Sequence, residues 1–411
     1  MNPRPDKKDT KLFTPSILLF LVSQNFSIFG SSVVGYAIIW YVTLQTSSGT
    51  WMMGVTLATM VPHLIISLNS GVWADRYNRK YLIMLSDGFI AAATFALFLL
   101  FFMGYKHLEL LLAVSVIRSL GSGIQSPAVN AIFPQLVPKE HLTRIQGINQ
   151  SVNSVLLLLS PAVGGIVLSL MNISWAFLLD VISASIAIVV FAFIKVDKTK
   201  RTSEAFSVRK DMREGLSYTF GNPVLKNLIL YYTFAFFLVT PAAILTPLLV
   251  ERSFGPEIWK LTANEIAWTV GSLVGGVFIT IKGQFKDKVR TIALTLVGFG
   301  VGFALLGIAK PFSLYLVVML VVGIFMPILA TAETVLIQEI VEPSKMGRVF
   351  SIVELIVGFS MPIGILIFGP LADIVSIESL LIVSGVLLVV VGLLYQRSNR
   401  RMVATTVPGG Q

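Results

Sequence analysis

The strongest constraint in this chain is a series of twelve long apolar runs, at 16–44, 50–74, 81–104, 108–132, 146–170, 174–194, 225–250, 261–281, 290–309, 312–337, 349–373 and 379–396. About 20 apolar residues wound as a helix cross the roughly 30 Å hydrocarbon core of a bilayer. A helix is also one of the few structures that satisfies its own backbone polar groups where there is no water. The spacing predicts an all-α integral membrane protein of twelve transmembrane helices. Composition agrees, because 55% of the 411 residues are hydrophobic and only 13% charged, against about 25% charge in ordinary globular chains. The first run is too long for the apolar region of a signal peptide and lacks a convincing cleavage site, so it is read as a retained helix. The connections are short, and no second soluble domain fits.

Several classes of chemistry are excluded at once. There is no cysteine, hence no disulfide framework and no thiolate metal site. His63, His107 and His141 are scattered, so no metal site is expected. No Gly-x-x-x-x-Gly-Lys-Ser/Thr loop is present to cradle ATP, and no nucleophile and base cluster together, so the chain reads as neither an ATP-driven pump nor an enzyme. The net charge of +10 follows the membrane rather than a nucleic acid. With the N-terminus placed inside, 26 of the 31 lysines and arginines fall on that side, and only Lys106, Arg252, Lys260 and Lys310 on the other. Arg118 lies within a span. That bias predicts both termini in the cytoplasm.

The chain divides in two. A long polar connection over 195–224 separates an N-terminal six-helix bundle (1–194) from a C-terminal one (225–396), with a tail at 397–411. The halves echo each other: Gly123-Ile-Gln-Ser-Pro127 leads through Gln135 to Pro138 and Arg144, and Gly323-Ile-Phe-Met-Pro327 leads through Gln338 to Pro343 and Arg348. Pro161 likewise has a counterpart in Pro362. Such offsets predict two pseudo-symmetric repeats around a central path, although Pro and Gly are also frequent in any membrane helix.

Three elements carry chemistry. After the second run, the residues read Gly71-Val-Trp-Ala-Asp75-Arg76-Tyr-Asn-Arg79-Lys80. Gly71 allows close helix approach, Asp75 can face a helix N-terminus, and Arg76 and Arg79 suit an anionic inner surface. This loop resembles the signature between helices 2 and 3 of the major facilitator superfamily. Trp73 and Asn78 depart from it, Asn78 replacing a glycine while tolerating the same left-handed turn. Arg118-Ser-Leu-Gly121-Ser-Gly123 in the fourth run is similar to the superfamily's Arg-x-x-x-Gly element. An arginine deep in a span is costly and must face the protein interior or water, where it serves coupling, gating or packing. Ser160-Pro161-Ala-Val-Gly164-Gly165 resembles the Gly-Pro-x-x-Gly-Gly element of the antiporters, where proline bends a helix and the glycines permit close packing. The same six residues also fit an ordinary kinked helix.

With Met346-Gly-Arg-Val-Phe-Ser351 and Met361-Pro-Ile-Gly364, these segments are similar to the macrolide-efflux branch of bacterial drug exporters, to which enterobactin exporters are related. The resemblance implies a multi-pass protein of the bacterial inner membrane, driven by the proton gradient without a cofactor, exporting bulky amphiphiles. A siderophore, a peptide or a lysolipid is the alternative cargo. The expected partners are that small molecule, protons and lipid, with no nucleic acid, and the expected state is a monomer.

Acids in mid-span are the natural proton carriers, because leaving water favours the neutral carboxyl. Glu333 and Glu354 are the leading candidates, with Asp180 and Asp87, placed about six residues into their spans, read as shallower residues that pair with neighbours or snorkel. His63 is either a titrating site or a hydrogen-bonded packing residue. Gln24, Asn25, Phe29 and Tyr36 in the first helix, with Tyr232 and Phe236 in the seventh, are the candidates for a substrate cavity, where aromatic faces suit hydrophobic or cationic molecules. For each aromatic, packing or lipid contact explains its presence equally well.

Overall fold

The computed structural model describes residues 14–138, 140–194, 208–342 and 345–406. These form fourteen helices: α1 (Pro15–Thr46), α2 (Gly49–Arg76), α3 (Arg79–Phe102), α4 (Leu108–Leu136), α5 (Leu142–Leu170), α6 (Ile173–Ala192), α7 (Val208–Gly221), α8 (Pro223–Ile244), α9 (Thr246–Phe254), α10 (Ile258–Lys282), α11 (Lys288–Ile308), α12 (Phe312–Ile340), α13 (Met346–Leu371) and α14 (Ile377–Thr406). Among the described residues there is no strand, and twelve helices are long and apolar enough to cross a membrane. The protein is an all-α integral membrane protein.

Three stretches carry more structure than the apolar runs show. The connection at 195–224 contains α7, an amphipathic helix that packs against α13, where Gly215 lies against Arg348 and Ile352. The apolar run at 225–250 is two helices, α8 and α9, meeting at Leu245. Pro247 lacks the N–H that would continue α8 but is well placed in the first turn of α9. The tail at 397–411 begins as helix, since α14 runs on to Thr406.

By their packing the residues group into two units, 1–37 with 58–203 and 38–57 with 204–411. In the first unit α3 packs against α4 and α6. One end of it is closed by a buried cluster in which Phe20 of α1 meets the edge of Phe133 of α4 at 5.7 Å and the ring of Phe191 of α6 at 6.1 Å. In the second unit the tightest crossings are built on small residues. A Cβ on Gly271 of α10 would stand 2.0 Å from the Leu320 carbonyl of α12, and one on Gly300 of α11 would stand 2.5 Å from the Gly385 carbonyl of α14. Helices lacking side chains at these points approach backbone to backbone, as packing in lipid requires. The turn between α1 and α2 belongs with this second unit.

Candidate functional site

The Gly71–Arg76 stretch is the C-terminal end of α2 rather than a loop, and the turn is only Tyr77 and Asn78. Asn78 does not adopt the left-handed conformation expected of it. Its backbone is extended (φ −68°, ψ 114°), and its side-chain oxygen accepts from the Lys80 N–H at 3.0 Å. Asparagine is a strong helix N-cap, and capping α3 explains its presence without any glycine-like backbone. Arg79 donates to the carbonyls of Ala74 (2.8 Å) and Ala131 (2.7 Å), fastening the end of α2 to α4. The Lys80 ammonium donates to the carbonyls of Ala192 and Ile194, each at 2.7 Å, placing a cation at the C-terminal end of α6. Arg76 is exposed. The surroundings of Gly71 and the side chain of Asp75 are outside what the structure describes.

Deeper in the first unit, Arg118 of α4 forms an ion pair with Asp180 of α6. The guanidinium also donates to the Thr94 hydroxyl of α3 at 2.5 Å, and the Ser31 hydroxyl of α1 donates to Asp180 at 3.4 Å. Arg118 is 12% exposed and Asp180 1%, so a pair of charges stands almost wholly out of water at the meeting of four helices. Beside it, Asp87 of α3 accepts from the Ser27 hydroxyl of α1 and the Gln125 amide of α4, each at 2.7 Å. Of the two alternatives read for Asp87 and Asp180, the structure has pairing: both are buried and bonded to groups on neighbouring helices. His63 is held on α4, its backbone N–H donating to Ser119 at 2.9 Å and its ring Nδ1 lying 3.1 Å from the Ser122 hydroxyl.

The remaining candidates are dispersed. Helix α5 runs unbroken through Pro161, and Ser160, Pro161, Gly164 and Gly165 share buried positions. In α1, Gln24 is buried and its Nε2 has no hydrogen-bond partner among the described residues, while Asn25 turns its amide onto the Leu21 carbonyl at 2.6 Å. Phe29 and Tyr36 are half-buried. In the second unit Tyr232 is fully buried with its ring centroid 5.9 Å from that of Phe236. Glu333 is half-buried, within electrostatic range of the Tyr232 and Tyr395 phenols, and Glu354 is exposed on its unit.

Two acids escaped the sequence reading. Glu265 of α10 lies beside Asn264, whose amide donates to it at 3.2 Å while the Asn264 oxygen accepts from the buried Tyr315 hydroxyl at 2.8 Å. An acid followed by an otherwise uncharged apolar stretch was the available signal. Asp373 follows α13 and collects the first turn of α2: it accepts from the backbone N–H groups of Gly49 (2.6 Å) and Thr50 (2.9 Å) and from the hydroxyls of Ser48 (2.9 Å) and Thr50 (2.6 Å). Arg252 of α9 joins it, bonding the Ala372 carbonyl at 2.6 Å and Asp373 itself at 3.3 Å. Burial alone would push the Asp373 carboxyl upward, but these hydrogen bonds outweigh it and hold the carboxyl below its ordinary value. Here the signal was Gly369-Pro-Leu-Ala-Asp373, which repeats the Gly-x-x-Ala-Asp pattern of Gly71–Asp75.

Residues 15–406 match the family model described as transmembrane secretion effector. The chain belongs to this family. As a transmembrane secretion effector it sits in the major facilitator superfamily, whose members and fold are those of transporters rather than enzymes. It is 28% identical to macrolide efflux protein A of Streptococcus pyogenes over 380 residues, covering 92% of this chain and 94% of that one. It is 22% identical to the staphyloferrin A transporter of Staphylococcus aureus, covering 95% and 96%. Among solved structures it matches the nucleoside transporter NupG with a TM-score of 0.71 at 15% identity, over 95% of this chain and 99% of that one, a likeness of fold.

Proposed function

We propose that this secretion effector is a proton-coupled exporter of bulky amphiphilic drugs of the macrolide kind. The observation that carries the reading is a buried Arg118–Asp180 pair, flanked by the Asp87 cluster, in a chain similar along nearly its whole length to macrolide efflux protein A. An ion pair in lipid is an expensive device, and proton transfer to one of its members changes which helices it binds. Protonation of Asp180 would release Arg118 toward Thr94 and the Ser31 carbonyl, loosening α4 from α6. Glu333 is the corresponding carrier in the second unit. Transport then proceeds by rocking of the two six-helix repeats about a central path, with the Asp75 region latching the cytoplasmic side and the Pro161 element serving as the packing surface. The protein works in the bacterial inner membrane as a monomer, with both termini in the cytoplasm and no cofactor. A second reading keeps the fold and changes the cargo to a siderophore, a peptide or a lysolipid; the similarity to the staphyloferrin A transporter bears on the first of these.

The test is efflux of a dye and of a macrolide from cells or inverted vesicles, with and without a protonophore. Asp75→Asn and Arg118→Ala are expected to abolish export while leaving membrane insertion intact. Export indifferent to the proton gradient would overturn the coupling, and unaltered efflux by Glu333→Gln would remove that residue as a carrier.

A further inference from the structure

The second unit holds a cavity of about 160 Å³ walled by residues of α8, α9, α10, α11, α12 and α13. Its lining is aromatic and methionine-rich, with Phe236, Trp268, Phe299, Met319 and Met326 among the walls. Among the described residues lining it, Glu265 is the single charged side chain. A cavity of this size is close to the roughly 150 Å³ that accepts a benzene ring in an engineered protein core. It therefore takes one ring or one compact alkylammonium group, and a larger molecule enters it only by an arm.

Charge decides which kind of arm. Glu265 is half-buried, and among the described residues no lysine or arginine is paired with it. Its neighbour Asn264 is held in place by the Tyr315 hydroxyl and offers it one amide donor at 3.2 Å, leaving most of the carboxylate's acceptor capacity unused. A packing role does not account for an acid here, since leucine or methionine would fill the wall without the cost of desolvating a carboxylate. Around it, Trp268, Phe236 and Phe299 contribute aromatic rings to the wall, and such rings attract cations, while methionine sulfur is polarizable. Trp268 and Phe299 are stacked with centroids 6.5 Å apart, which fixes the orientation of both rings.

We propose that this cavity binds the cationic head of an amphiphile, a protonated tertiary or quaternary amine carrying apolar substituents, with Glu265 as its counter-ion. The inference rests on the exporter reading only for what the site contributes to transport, because binding itself is a property of the second unit.

The chain contains no cysteine, so Ala243→Cys, in the cavity wall, gives a single thiol without background. The full-length variant in lipid nanodiscs is labelled with methyl methanethiosulfonate in the presence of phenyltrimethylammonium or of its uncharged isostere tert-butylbenzene. The cation is expected to slow labelling at least tenfold. Adding Glu265→Gln should remove protection by the cation while protection by tert-butylbenzene stays within twofold. Glu265→Asp should weaken cation protection severalfold and stands in if the glutamine variant does not insert. Equal cation protection with and without the carboxylate, or no protection by either compound, would overturn the proposal. Carboxylate-dependent protection in a protein that exports nothing would leave the site standing and sink the exporter reading. Export without such protection would do the reverse.

Discussion

Removing one member of the Arg118–Asp180 pair is the perturbation with the most direct physical consequence. With Arg118 12% and Asp180 1% exposed, Asp180→Leu leaves a guanidinium almost wholly out of water with, among the described residues, only the Thr94 hydroxyl at 2.5 Å and the distant Ser31 carbonyl to solvate it. Breaking a buried pair on one side costs about 3–5 kcal/mol. For a folding unit of this size each kcal/mol shifts melting by about 2–4 °C, so the variant should melt roughly 10 °C below the native protein. Replacing both members by leucine removes the uncompensated charge, and such replacements are neutral or stabilising by about 1–4 kcal/mol. The double variant Arg118→Leu/Asp180→Leu should therefore recover most of the lost stability. Thr94 tolerates the change because its hydroxyl also donates to the Ile90 carbonyl at 2.9 Å. The assay is thermal challenge followed by fluorescence-detected size-exclusion chromatography in one detergent. An Asp180→Leu protein that melts within about 2 °C of wild type, or a double variant no more stable than the single one, would refute the argument. Transport by the stable double variant separates the roles: an anchoring pair would leave export intact, a coupling pair would not.

Other expectations follow from local geometry. Asp373→Asn removes the charge from the N-terminal cap of α2, and losses of this kind cost about 0.5–2 kcal/mol, read as a lower melting temperature at neutral pH. Because the native carboxyl is held below its ordinary value, its stabilisation is present above the unfolded aspartate value of about 3.9 and is lost as pH falls through the folded value. Melting of the wild type should accordingly decline in that acid range more steeply than melting of Asp373→Asn. Asn78→Ala, which deletes the cap of α3, should cost about 1 kcal/mol in the same melting assay. Gly271→Leu drives a side chain into the Leu320 carbonyl, 2.0 Å from where its Cβ would stand; overpacking of this kind costs about 1–3 kcal/mol, and the variant should be recovered in the membrane at reduced yield.

The twelve spans were legible because lipid imposes one rule on every helix, enough apolar residues to cross and no exposed backbone. What the apolar count did not reveal was where the chain stops being one helix. Pro247 divides a run that hydropathy shows as continuous, and α7 is an amphipathic helix whose polar residues read as linker. The same limit applies to the site. Arg118 stood out as a lone charge in a span, and its need for a partner was legible; that Asp180 of α6 is that partner follows from the packing of α3, α4 and α6. For Asp87 and Asp180 the sequence offered pairing or snorkelling, and the neighbouring helices, which supply Ser27, Gln125 and Arg118, decide for pairing. Glu265 was passed over because its one signal, an acid ahead of a long uncharged apolar stretch, says nothing of what surrounds it; its isolation shows in the cavity it lines.

The turn held by Asp373 is held partly through main chain. The N–H groups of Gly49 and Thr50 supply two of the four donors within 3 Å of the carboxylate, and a backbone donor survives any substitution except proline. The Ser48 and Thr50 hydroxyls supply the other two. Residues 48 and 50 can thus change while part of the contact persists, whereas Ser47, whose backbone is left-handed (φ 43°), Gly49, whose Cβ would meet the Gly369 carbonyl at 2.2 Å, and Asp373 are constrained. A turn of this construction can change its surface chemistry while selection on its grip falls on a residue more than 300 positions away in the chain.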